Sequence, residues 1–119
     1  MTDYTAWEFG GKTRTIDMED YETSKRFTDA AKILDALNTE EMTGTPEAIQ
    51  KDCETIRSFF MAFLGEDIFD GMPLNRRVYM DAVSDVFAFV KKQKIADAAR
   101  LLQMFQSFAP QTFEQAGTE

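Results

Sequence analysis

Apolar residues recur along this chain with two periods, and the change from one to the other marks its elements. Over the first stretch the pattern alternates: Trp7 and Phe9 stand against Ala6 and Glu8, and the chain returns through Lys12, Thr13, Arg14, Thr15 and Ile16. Gly10-Gly11 between the two runs tolerates positive φ at both turn positions, so a β-hairpin over about 5–16 is predicted. A two-residue turn sets Phe9 opposite Lys12, Trp7 opposite Arg14 and Thr5 opposite Ile16. Trp7, Phe9 and Ile16 then share a face on which Arg14 can lie over the indole. A lone hairpin is marginal in water, so this one must pack on helices or take a partner strand along its edge.

From there the period becomes helical. Asp17 is a fair N-cap, with Glu19 and Asp20 in the first turn, for a helix over about 18–37. Its stripe is Tyr21, Ser24, Phe27, Ala31, Leu34 and Asn38, widened by Ala30, Ile33 and Leu37. A loop over 38–44 leads to Thr45-Pro46-Glu47, the sharpest start signal in the chain, since Thr can cap free amides and Pro at the first position has none to leave unpaired. The second helix runs to about Leu64, with Gly65 as C-cap and a seam of Ile49, Cys53, Ile56, Phe60 and Phe63. Phe59 and Met61 fall on opposite flanks of that seam, so the end of the helix is apolar over more than half its circumference.

A turn-rich link over 66–74 places Ile68 and Phe69 as plugs in the core, and Asn75 can cap a third helix. That helix carries Tyr79, Ala82, Val83, Val86 and Val90 on one side, with Phe87 and Phe89 on its flanks. Beyond Val90, a stripe of Ile95, Ala98, Leu102 and Phe105 is turned by about 100° from the first if the helix is straight. A break or bend near Lys91-Lys92-Gln93-Lys94 would remove that mismatch. The reading is a mainly α fold, a three- to four-helix bundle with an N-terminal β-hairpin, one domain over 1–109 with a flexible tail at 110–119.

Charge narrows the functional classes. Twenty-one acids against thirteen bases give the 119 residues a net charge of -8, which repels nucleic acid and anionic membranes. The sign is uneven: residues 1–70 hold sixteen acids and seven bases, and 71–119 five acids and six bases. With no histidine and one cysteine, Cys53, the chain lacks disulfides, zinc-finger ligands and imidazole catalysis. It has no targeting or membrane-spanning run, so a cytoplasmic, non-enzymatic protein is expected. Asp81 with Asp85, and Asp67 with Asp70, lack the spacing of a calcium loop. Gly10-Gly11-Lys12-Thr13 ends like a P-loop, but Thr5 stands where its first glycine belongs. No catalytic, cofactor or metal residues are assigned.

Aromatic residues remain. Eleven Phe, three Tyr and one Trp exceed what a small helical core needs. Trp7, Phe59, Met61, Phe69, Phe87 and Phe89 are accordingly the candidate protein-interaction residues. The acidic first part and slightly basic second part, together with the open hairpin edge, point to weak head-to-tail self-association.

Trp7-Glu8-Phe9-Gly10-Gly11-Lys12, the opening Ile16-Asp17-Met18, and the string Cys53-Glu54-Thr55-Ile56-Arg57-Ser58-Phe59-Phe60 leading to Gly65-Glu66-Asp67-Ile68-Phe69 together form a pattern. Over residues 6–93 it resembles small uncharacterised prophage proteins of Gram-positive bacteria that lie near long-tailed-phage tail genes. The resemblance implies a tail assembly chaperone that binds and shields the tape measure protein in the bacterial host cytoplasm. The helix after Lys94 lies outside it. From another class, the acidity allows an inhibitor that mimics DNA and occupies a host nucleic-acid-binding protein.

Overall fold

Gly10 and Gly11 both take the left-handed backbone, φ 61° and 79°, and join β1 (Ala6–Phe9) to β2 (Lys12–Thr15). The register is the expected one, with Trp7 opposite Arg14 and Phe9 opposite Lys12, and Ile16 N donates to Thr5 O at 2.7 Å. These coordinates form a computed structural model that describes residues 4–37 and 43–108. Part of the expected 38–44 loop and the whole 110–119 tail lie outside the described residues.

Arg14 does not cover the indole. Its guanidinium grips Glu66 Oε1 at 2.8 and 3.1 Å, and Lys12 Nζ reaches the same oxygen at 3.0 Å. A carboxylate within reach offers charge-assisted hydrogen bonds that a ring face cannot match. Trp7 instead stacks between Phe9 and Phe60, with centroids 5.7 and 5.9 Å away, and its Nε1 donates to Asp85 Oδ2 at 2.8 Å.

The first helix is shorter than its pattern. Helix α1 spans Tyr21–Ala31, capped by Asp20, which accepts from Thr23 N at 3.0 Å, and a 3-10 turn follows over Lys32–Ala36. Asp17 holds a preceding turn, its side chain accepting from Glu19 N and its carbonyl from Asp20 N. Met18 N is claimed by the side chain of Gln93 at 2.6 Å, so it cannot serve as a free first-turn amide. Phe27 and Ala30 are buried, whereas Tyr21, expected on the core stripe, is exposed.

Helix α2 (Pro46–Leu64) follows its signals. Thr45 Oγ1 accepts from Ala48 N, and Gly65 closes the helix at φ 75°, donating to Met61 O at 2.9 Å. Ile68 and Phe69 plug the core as expected. Phe69 lies flat on Tyr79, with centroids 3.7 Å apart.

Asn75 Oδ1 accepts from Val78 N and starts α3 (Arg76–Phe108), 33 unbroken residues about 50 Å long. The helix passes through 91–94 without a break. Its buried face runs Tyr79, Ala82, Val86, Val90, Gln93, Asp97, in steps of three and four that continue straight past the lysines. Two polar members hide that continuity from an apolar reading. Helix α2 packs against α1 and α3, the hairpin lies on α3, and the four elements share one core. The fold is mainly helical with an N-terminal hairpin. Among the described residues no helix is long and apolar enough to cross a membrane.

Candidate protein-binding surface

Three of the six candidate interaction residues belong to the core. Trp7, Phe59 and Phe69 are 2%, 0% and 0% exposed, so their expected role at an interface is corrected. Phe59 meets Phe27, Phe60, Phe63 and Phe87 at centroid distances of 4.8–6.2 Å, a set of ring contacts that accounts for the surplus of phenylalanine. Phe87 and Phe89 are half-buried against that core. Met61 alone is well exposed, at 46%.

Phe87 does line a surface feature. With Phe27, Val90, Lys91, Lys94, Ile95 and Ala98 it forms an open groove of about 460 Å³ between α1 and α3. The floor is apolar and the rim carries two lysines, with Lys94 Nζ 5.9 Å from the centre of the Phe27 ring. One turn and two turns beyond Ala98, Leu102 and Phe105 continue the same side of α3 and are exposed. The second stripe read from the sequence is thus a surface, reached without a break in the helix.

A further face escaped the sequence reading. Extending the buried steps of α3 past Asp97 by four, three and four gives Leu101, Met104 and Phe108, all exposed. The signal was present in the spacing, but Gln93 and Asp97 interrupt its hydrophobicity.

Two of the buried polar residues, Gln93 and Asp52, hold parts of the chain together. Gln93 donates to Tyr4 O at 2.9 Å and Ile16 O at 2.7 Å and accepts from Met18 N, which ties both ends of the hairpin to α3. Arg76 bonds Asp52 Oδ2 at 2.9 Å and Thr43 O at 2.7 Å, and Arg100 bonds the Tyr4 hydroxyl. Of the cations in the basic second part, Arg76 and Arg100 are therefore hydrogen-bonded within the chain. Arg57 lies between Asp67, at 3.2 Å, and the Tyr79 hydroxyl, at 3.3 Å. Burial and the nearby Asp52 carboxylate push the Cys53 thiol upward, away from the reactive thiolate. Hydrogen bonds from Arg14 and Lys12 hold Glu66 below its ordinary value.

Asp85 and Asp67, one from each acid pair considered for a cation, are bonded to Trp7 and to Arg57 and Phe69 N. Among the described residues, no three His, Cys, Asp or Glu side chains are grouped to hold a metal. Chemically, the surface offers apolar contact area edged with positive charge. No protein-family model, curated protein or solved structure matches the chain.

Proposed function

We propose that this protein is a non-enzymatic tail assembly chaperone that holds a helical segment of the tape measure protein in the bacterial host cytoplasm. The observation that carries the reading is the groove of Phe27, Phe87, Val90, Ile95 and Ala98 beneath Lys91 and Lys94, prolonged by Leu102 and Phe105. Such a groove suits an amphipathic helix whose apolar side chains recur every three or four residues and whose flanks carry carboxylates. Seated there, the client helix would stand as a fourth beside α1, α2 and α3. The tape measure protein as client rests on the resemblance of residues 6–93 to prophage proteins. The competing DNA-mimic reading is weakened because Asp52, Glu66, Asp67 and Asp85 face partners within the chain and cannot all present a phosphate-like array.

The test uses the full chain and a long-tailed-phage tape measure protein divided into overlapping helical segments. Capture of one or more segments should survive high salt, because apolar contact carries it. Replacing Ile95 and Leu102 together by Asp should weaken capture at least 10-fold while the melting temperature holds. Capture of no segment, or capture indifferent to that double substitution, refutes the reading, and displacement by duplex DNA would favour the mimic.

A further inference from the structure

The core-facing stripe of α3 outruns the core. Tyr79, Ala82, Val86, Val90, Gln93 and Asp97 are buried, and the same three-four-four spacing continues through Leu101, Met104 and Phe108 into solvent. An eleven-residue repeat of this kind keeps one face nearly straight along a helix, so the exposed residues point the way the buried ones do. Phe105 lies beside them, with its ring 5.5 Å from that of Phe108. We propose that this distal face pairs with the same face of a second copy, antiparallel, with Leu101 of each copy against Met104 of the other. The face lies about 100° around α3 from the client groove, and the pairing stands independently of that reading.

Charge selects a second copy as the occupant. Residues 101–108 contain no charged side chain, in a chain whose net charge is -8. It is a surface on which two copies can meet without like charges at the contact. The remaining repulsion, between the acidic bodies, selects the direction. Parallel pairing sets the bodies side by side. Antiparallel overlap of 97–108 puts them at opposite ends of roughly 16 Å of helix, about twice the screening length at physiological salt. A two-fold arrangement also closes on itself and uses the same patch twice.

Area sets the strength. Leu101, Met104 and Phe108 are 47–68% exposed. At side-chain areas of roughly 150–250 Å², they offer about 330 Å² per copy. Pairing then covers about 650 Å² of apolar surface and, at the usual apolar share of roughly 65%, about 1,000 Å² in all. That is the size of a weak, reversible dimer rather than an obligate one.

Sedimentation equilibrium of the full chain should show the 13.6 kDa mass rising toward twice that value between about micromolar and millimolar concentration. Substituting Leu101→Glu and Met104→Glu together should weaken association at least about 100-fold, with helix content and melting temperature kept, since both residues are exposed. Direction is read by oxidation: L101C mixed with M104C should cross-link several-fold more than either variant alone. A chain monomeric throughout that range means the face is covered by its own C-terminal residues or by a foreign partner, and it overturns the proposal. Dimerisation unchanged by the double substitution, or cross-linking of L101C to itself in preference, overturns it equally.

Discussion

Replacing Gln93 by Leu tests the contact that fastens the hairpin to the helices. The side chain is 2% exposed and makes three hydrogen bonds, at 2.6 Å from Met18 N and at 2.7 and 2.9 Å to Ile16 O and Tyr4 O. Leucine has similar bulk and leaves all three backbone groups without that partner. Tyr4 O is part-buried and within reach of water, whereas the Ile16 carbonyl and Met18 amide are buried. At roughly 1–3 kcal/mol for each orphaned buried group, and with some return from the added apolar contact, the expected loss is about 3 kcal/mol. For a domain of this size that lowers the melting temperature by roughly 10–20 °C. Urea denaturation followed by Trp7 fluorescence measures it, because Trp7 lies on the hairpin and is buried in the native state. Gln93→Glu adds a sign. A carboxylate cannot donate to the two carbonyls and is penalised by burial, so its folded pKa must rise above the unfolded value. The variant's deficit should therefore shrink as pH falls and the group protonates, recovering a donor. A loss under about 1 kcal/mol for Gln93→Leu, or a Gln93→Glu deficit equal at pH 7 and pH 5, would refute the anchoring role.

Phe59→Ala should cost about 3–5 kcal/mol in chemical denaturation, while Met61→Ala, two residues away and exposed, should stay within about 0.5 kcal/mol. Equal costs would mean that the two side chains are not divided between core and solvent. Glu66 is held below its ordinary value of 4.5 by Arg14 and Lys12, so its contribution is complete above that pH and is lost as pH falls through the lower folded value. The acid limb of a stability profile should accordingly be shallower for Glu66→Gln than for the native chain. Cys53, buried and with its thiol pushed upward, should resist a thiol reagent in the folded protein and react at once in denaturant; rapid labelling of the native chain would contradict its place in the core.

What the sequence by itself determined is local. The glycine pair at 10–11, the Thr45-Pro46 start, the Gly65 stop and the Asn75 cap each act through a few neighbouring backbone groups, so their residue types suffice to place hairpin and helices. Tertiary structure decided whatever depended on partners distant in the chain. Gln93 closes hydrogen bonds to Tyr4, Ile16 and Met18, so the Met18 amide is taken and the first helix is capped at Asp20 instead of Asp17. Arg14 finds Glu66 and Trp7 finds Asp85, pairings that no hairpin register contains. Apolar spacing along α3 was legible as two stripes, yet which of them meets a core depends on where the other elements end. Among the described residues, the burial of α3 stops near Asp97 while the helix continues to Phe108. Periodicity records which side chains share a face, and only the arrangement of the other elements determines whether that face is covered.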